Sequence, residues 1–197
     1  MLGAVILSPA TLDPIILEMG AKYNIEPAWI KAHIKQESNW DVNASRYEAH
    51  KADASWGLMQ LLLTTAKEVM GDPNLTITQL TQPRVNIEAG TKFLSQLWTR
   101  FGNMRDAIAA YNAGSPRINP KTGKYVNQDY VDRVTKNYEV YKALGTSVVA
   151  ETAIDAADAI TDVVSSVTNV SNDSNNYSMY VFAGLGVLAL VALVSSD

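Results

Sequence analysis

The feature of this sequence that most limits its fold is the repeated spacing of apolar residues three and four positions apart. The clearest case runs from Pro83 to Gly102, where proline suits the first helical position and glycine the position after the last. One face of this segment is formed by Ile87, Gly90, Thr91, Leu94, Leu97, Trp98 and Phe101. No strand pattern of comparable strength occurs along the chain. The spacing therefore predicts an all-α domain, which we place at residues 12–144.

Shorter helices are predicted on both sides of this segment, from residues that favour a first helical turn. These start signals are Asp13 with Pro14, Pro27, Thr65 with Glu68, and Asn103. A last helix before Gly145 carries on one face Tyr130, Val131, Val134, Tyr138 and Tyr141.

Charge is distributed unevenly along the chain. All 16 Lys and Arg lie at or before Lys142, together with 14 of the 20 Asp and Glu. The predicted domain is thus weakly basic, which suits an acidic polymer but is too little charge to predict nucleic acid binding. There is no cysteine, so disulfides and thiolate sites are excluded. The histidines, His33 and His50, lack metal-ligand spacing, and neither a metal nor a cofactor is predicted.

The two ends of the chain differ from its middle. Residues 1–11 contain a short apolar run without a basic residue, and no secretory signal is predicted there. Residues 145–176 are predicted as an acidic linker or as a weak coiled-coil helix, whose seam at 149–170 would associate with itself or with a partner helix. Residues 177–194 are uncharged and predicted as a transmembrane helix in a lipid bilayer, with a buried core helix as the alternative. A short tail, 195–197, follows.

The helix predicted to begin at Pro27 places a carboxyl group on its apolar face. Ile30, His33, Ile34 and Glu37 follow one another at helical spacing, so their side chains share that face. Burial among apolar neighbours raises the pKa of a carboxyl group, which keeps it protonated near neutral pH. The pattern makes Glu37 a candidate general acid; an exposed glutamate in a fraying last turn is the alternative.

Two other local patterns place polar groups among apolar ones. Gly57 allows a sharp turn before the run Leu58–Leu61, and Gln60 within that run needs a hydrogen-bonding partner, for which a groove is one place. Tyr111 and Asn112 end a helix that is otherwise small and apolar.

Taken in order, these segments resemble the lytic transglycosylase domain family, which shares a lysozyme-like α fold with goose-type lysozyme. The resemblance covers about residues 12–144 and implies that fold, with peptidoglycan glycan strands as the substrate. It rests on six separated motifs: Glu37-Ser38, Gly57–Leu61 followed by Thr64-Thr65-Ala66, Asn86–Gly90, Phe101–Asn103, Ala110–Gly114 and Tyr130-Val131.

The resemblance also implies roles for individual residues. Glu37 would be the acid–base that protonates the glycosidic oxygen between MurNAc and GlcNAc and then takes a proton from the 6-hydroxyl, which closes a 1,6-anhydro ring without water. One carboxyl group suffices for this reaction, whereas most glycosidases need two. Tyr111 would hydrogen-bond that carboxyl. The implied substrate-binding residues are Ser38, Met59, Gln60, Leu62, Tyr111, Asn112 and Tyr130.

The chain departs from the usual pattern of the family at several positions. Leu63 stands where proline is common, Arg46 where a groove serine is frequent, and Val126 where many members carry a second glutamate. Asp129 is a candidate replacement for that glutamate. The segment 38–59 is also longer than usual.

Two other functions stay open at this point. A goose-type muramidase would hydrolyse the same bond and would need a second carboxylate, for which Asp53 and Glu48 are candidates. A membrane-anchored structural protein would bind glycan without cleaving it. An anchored wall-degrading enzyme without a signal peptide is typical of a phage virion, so we expect a virion protein that acts in the bacterial periplasm during genome delivery.

Overall fold

The computed structural model describes residues 5–48, 53–145, 177–184 and 187–194. The chain divides into two units, Met1–Thr146 and Ser147–Asp197. The seam predicted at 149–170 lies outside the described residues.

Helices dominate the first unit, as the apolar spacing predicts. Within its described part there are seven: α1 (Pro9–Tyr23), α2 (Pro27–Ser38), α3 (Leu63–Met70), α4 (Ile77–Leu80), α5 (Pro83–Phe101), α6 (Met104–Ala113) and α7 (128–145). Helices α1, α3, α4 and α6 pack against α5, and α2 packs against α1. The central core combines buried side chains of four helices, among them Ile16, Met19, Ile30, Ile34, Leu94 and Ala110. This core holds α2 and α6 in fixed positions, and both helices carry residues of the candidate site.

The first helix begins earlier than predicted. It begins at Pro9, with the side chain of Ser8 as its cap, and Pro14 lies inside the helix. Pro14 is the sixth residue of this helix and removes one helical hydrogen bond, the one that an amide there would donate to the carbonyl of Ala10. Asp13 is therefore not a cap, and its carboxylate instead pairs with Lys31 at 2.8 Å.

The capping box predicted at Thr65 and Glu68 is also wrong. Helix α3 begins at Leu63, and no side chain caps it. A capping box is found at the next helix, where Thr76 and Gln79 bond each other's backbone amides. The pattern of a capping box is short, so it occurs in sequences that do not form one.

A small antiparallel sheet lies between α2 and α3 in the chain, and the sequence did not predict it. Its strands are β1 (Ser45–Glu48), β2 (Asp53–Trp56) and β3 (Leu61–Leu62), in the order β1-β2-β3. Arg46 lies opposite Ser55. Strands of four and two residues are too short for a period-two pattern to stand out.

Two segments of the uncharged run 177–194 form strands, so the predicted transmembrane helix is wrong. Tyr177–Gly184 and Val187–Val194 pair as antiparallel strands β4 and β5. Glycines at positions 184 and 186 would weaken a helix at the centre of this run, and the valines of the run favour strands. Among the residues that the structure describes, no helix has the length and apolar character needed to cross a bilayer.

Candidate active site

Glu37 lies in the last turn of α2, on the face that the sequence predicts. Ile30, His33 and Ile34 on this face are fully buried, and Glu37 is half-buried. The hydroxyl of Tyr130, 93 residues further along the chain, donates to Glu37 Oε1 at 2.5 Å. The carboxyl-terminal end of a helix disfavours negative charge, whereas a donated hydrogen bond stabilises it. Glu37 thus lies between a helix end that repels negative charge and a hydroxyl that donates a hydrogen bond to it.

Two tyrosine hydroxyls beside Glu37 are held in their neutral form. Burial raises the pKa of Tyr111 well above its ordinary value, and the charge of Glu37 adds to this effect. Burial also raises the pKa of Tyr130, followed by the charge of Glu37 and the hydrogen bond to it, while the positive charge of Arg46 acts in the opposite direction. Both hydroxyls therefore remain donors over the pH range in which a carboxyl group titrates.

The hydroxyl of Tyr111 does not bond the carboxyl group. It donates to the carbonyl of Met59 at 2.9 Å, and its ring packs against Phe93 with 5.1 Å between centroids. A tyrosine hydroxyl has one proton to donate, so the predicted hydrogen bond from Tyr111 to Glu37 is wrong. Tyr130 supplies that bond instead.

The larger of two cavities at this site has a volume of about 330 Å³. Glu37 lines it together with four residues predicted for the groove: Gln60, Leu62, Tyr111 and Asn112. Leu61 and Phe93 add apolar surface. Apolar and aromatic walls with a few polar groups are typical of ligand sites, and they suit the faces of sugar rings.

The smaller cavity has a volume of about 290 Å³ and shares Glu37, Arg46 and Asn112 with the larger one. The rest of its lining is polar or charged: Gln36, Asn127, Asp129, Tyr130 and Arg133. Because Glu37 borders both cavities, a chain that occupied the two would place the bond between its units at this carboxyl group.

A turn at Gly57 connects β2 to β3 and is anchored by Asn86 of α5. Asn86 is fully buried; its Oδ1 accepts from Met59 N at 2.7 Å, and its Nδ2 donates to the carbonyls of Trp56 and Leu80 at 2.9 and 3.0 Å. Gly57 has a φ of 75°, and a Cβ there would lie 2.5 Å from Asn86 Nδ2. Glycine is therefore required at this position.

Gln60 follows this turn and has a structural role as well as a place on the cavity wall. Its Nε2 donates to the carbonyls of Ala44 and Gly57 at 3.0 and 2.9 Å, and its Oε1 accepts from Ser55 at 2.9 Å. The side-chain amide of Gln60 was predicted to need a hydrogen-bonding partner, and it has three such partners within the protein.

Two predicted groove residues line neither cavity. Met59 is fully buried against Gly90, where a Cβ would lie 2.4 Å from Met59 Sδ. The missing side chain at Gly90 leaves the space that the methionine fills. Ser38 Oγ donates to the carbonyl of Ile34 at 3.2 Å, within its own helix.

Sequence reasoning missed several residues of the site. Asn127 donates from Nδ2 to Asn112 Oδ1 at 2.9 Å and to the carbonyl of Ala109 at 3.1 Å, which joins α6 to the start of α7. Phe93 lies outside the face predicted for its helix, and Arg133 lies on the polar side of α7. A signal for this side of the site was present at Arg46, which the resemblance marked as a departure from the expected pattern.

Comparison with known proteins decides the family. The sequence model of the transglycosylase SLT domain matches residues 14–133. The chain belongs to the transglycosylase SLT domain family. The expected lysozyme-like transglycosylase domain is thereby confirmed.

Relatives of this SLT domain include a transglycosylase of Enterobacteria phage PRD1, 27% identical over 68% of the chain and 45% of the relative. The soluble lytic murein transglycosylase of Salmonella typhimurium is 35% identical over 48% of the chain and 15% of the relative. The chain therefore spans less than half the length of these two proteins. A solved complex of the 70-kDa soluble lytic transglycosylase with bulgecin A has the same fold, with a TM-score of 0.56 and 24% identity over 69% of this chain and 25% of that one.

Proposed function

We propose that this SLT-domain protein is a peptidoglycan lytic transglycosylase that cleaves the β-1,4 bond between MurNAc and GlcNAc and leaves a 1,6-anhydro end. The position of Glu37 carries this proposal, because it borders both cavities and is bonded by a neutral tyrosine hydroxyl. The name of the Salmonella typhimurium relative supports murein as the substrate.

The proposed reaction uses Glu37 twice. The protonated carboxyl group gives its proton to the glycosidic oxygen as the bond from that oxygen to C1 of MurNAc breaks. The carboxylate then takes the proton of the 6-hydroxyl, whose oxygen forms the new bond to C1. No water is consumed, and Glu37 ends in its starting state. Tyr130 stabilises the carboxylate between the two proton transfers.

The distribution of carboxylates supports a lyase. Among the described residues, Glu37 and Asp129 are the acidic side chains that line the two cavities. Asp53, a candidate second carboxylate, accepts from the amide of Ala54 at 2.7 Å and from the hydroxyl of Thr64 at 3.4 Å, and it lines neither cavity. The alternative is a muramidase in which Asp129 activates water.

Substitution of Glu37 tests the proposal. Glu37→Gln is nearly isosteric but has no proton to cycle, so we expect the release of fragments from purified peptidoglycan to fall by at least about 10²–10⁴-fold. Glu139→Gln is the matched control: it makes the same change at an exposed position outside both cavities and should leave the rate unchanged. Residual activity above about a tenth in Glu37→Gln would remove Glu37 as the acid. No release by the wild-type protein would favour the non-catalytic structural protein.

We also propose that the protein is a virion component that acts in the bacterial periplasm, and that residues 177–194 associate with a bilayer. The phage PRD1 relative supports the first statement, and the absence of charge in this run supports the second. Immunoblotting of purified virions tests the location. Detection only in the host envelope fraction would contradict it.

A further inference from the structure

Two arginines from separate parts of the chain line the smaller cavity beside Glu37. Arg46 lies on β1 and borders both cavities, and Arg133 lies on α7. Both side chains are exposed, so neither is needed to fill the core. The charge of Arg46 reaches the reacting centre, since it opposes the rise in the pKa of Tyr130.

The guanidinium group of Arg133 is only partly used within the protein. Its Nε donates to Gln36 Oε1 at 3.3 Å. Its terminal nitrogens make no hydrogen bond or ion pair within 5–48 and 53–145. Asp129, one turn earlier on α7, lines the same cavity and is the acidic group that a bound anion would meet besides Glu37.

The chemistry of this cavity favours an anionic ligand. Guanidinium groups are planar forks that bind carboxylates through paired hydrogen bonds, whereas sugar hydroxyls and N-acetyl groups carry no charge. Two arginines from different elements meet at one cavity, next to the residue that would protonate the bond.

We infer that the smaller cavity is a subsite for the muramyl unit, which Arg46 and Arg133 select through a carboxylate on its lactyl substituent. This inference rests on the proposed function. The carboxylate is either that of the lactyl group itself, in strands without peptide, or one on the attached peptide.

Four substrates test the inference on the full-length protein: intact purified peptidoglycan, strands freed of peptide by an amidase, and each of these two materials with its carboxylates converted to methylamides. In intact material the lactyl carboxyl group forms the amide to the peptide, so the free carboxylates lie on the peptide. A charged hydrogen bond is worth about tenfold or more in binding, so conversion to methylamides should lower kcat/KM of the wild type by at least about tenfold for one of the two materials. This decrease should occur with strands freed of peptide if the lactyl carboxylate binds. It should occur with intact material if a carboxylate of the peptide binds.

Variants separate the subsite from a general effect of charge. The double variant Arg46→Gln/Arg133→Gln should cleave the native and methylamide substrates at similar rates, while Asp129→Asn should widen the difference between them. Arg100→Gln is the matched control, an exposed arginine outside both cavities, and it should keep the wild-type ratio. Equal wild-type rates on the native and methylamide forms of both materials, or an unchanged ratio in the double variant, would overturn the inference alone. An inactive wild type on all four substrates would overturn the proposed function and the inference together.

Discussion

Acidification is expected to destabilise the protein through His33, which is fully buried on the core face of α2. Its Nδ1 bonds the carbonyl of Trp29 at 2.8 Å, so the ring proton lies on that nitrogen. Its Nε2 has no hydrogen-bond partner among the described residues. Burial lowers the pKa of His33 from 6.5 to about 4. A second proton would therefore place an unpaired charge in an apolar environment.

The sign and the size of the effect follow from the two pKa values. Between pH 6.5 and about 4 the unfolded chain binds a proton on His33 that the folded protein does not, so the free energy of unfolding decreases as the pH falls. The full difference between the two pKa values of His33 corresponds to about 3 kcal/mol of free energy of unfolding. About 2 kcal/mol of this is lost between pH 7.5 and pH 5.

Urea unfolding at these two pH values measures the loss. The matched variant His33→Asn keeps an amide donor toward the carbonyl of Trp29 but does not titrate. We expect the wild type to lose about 2 kcal/mol more than this variant on acidification, whatever the variant's stability at pH 7.5. If both proteins lose the same free energy, the buried histidine is not the cause; His33→Gln provides a second comparison.

Three further predictions follow from the site, the core and the uncharged run. Tyr130→Phe removes the donor to Glu37 and should lower kcat by about 10–100-fold with little change in KM, because the hydroxyl acts on charge that changes during the reaction; a loss confined to KM would make Tyr130 a binding residue. Asn86→Ala leaves buried groups of Met59, Trp56 and Leu80 without partners and should lower the free energy of unfolding, measured with urea, by at least about 3 kcal/mol. A loss below about 1 kcal/mol would show that these groups find other partners. Val181→Glu/Leu190→Glu, a pair of facing positions in β4 and β5, should abolish flotation with phospholipid vesicles; flotation equal to that of the wild type would contradict bilayer association through 177–194.

Local spacing was sufficient to predict much of the helical unit. The apolar face of α2 leads from Ile30 to Glu37, and a period of 3.6 residues places that carboxyl group beside the core without knowledge of any other segment. Pro83 and Gly102 delimit α5 correctly for the same reason, since the capping preferences at both ends are local.

Contacts between distant segments could not be read from local spacing. The bond from Tyr130 to Glu37 joins residues 93 positions apart. A tyrosine on an apolar helix face gives no indication of where its hydroxyl lies, and Tyr111 was the equally plausible donor. Met59 was expected in the groove, but the space left by Gly90 on α5 places its side chain in the core.

The prediction of secondary structure failed where the sequence pattern was short or ambiguous. The strands β1 and β2 contain too few residues to show alternation, so the small sheet that carries Arg46 was missed. The run 177–194 is uncharged and mostly apolar, and such a run carries no periodicity that separates a helix from strands. Its central glycines were the signal that favoured two shorter elements.

The most direct test of the account is the chemical nature of the product end, measured by mass spectrometry after digestion of purified peptidoglycan in water enriched in ¹⁸O. We expect muramyl ends that are one water lighter than the hydrolysis product and free of ¹⁸O, because the 6-hydroxyl of the substrate replaces water in the reaction of Glu37. Reducing muramyl ends that carry ¹⁸O would contradict this account and make the protein a muramidase.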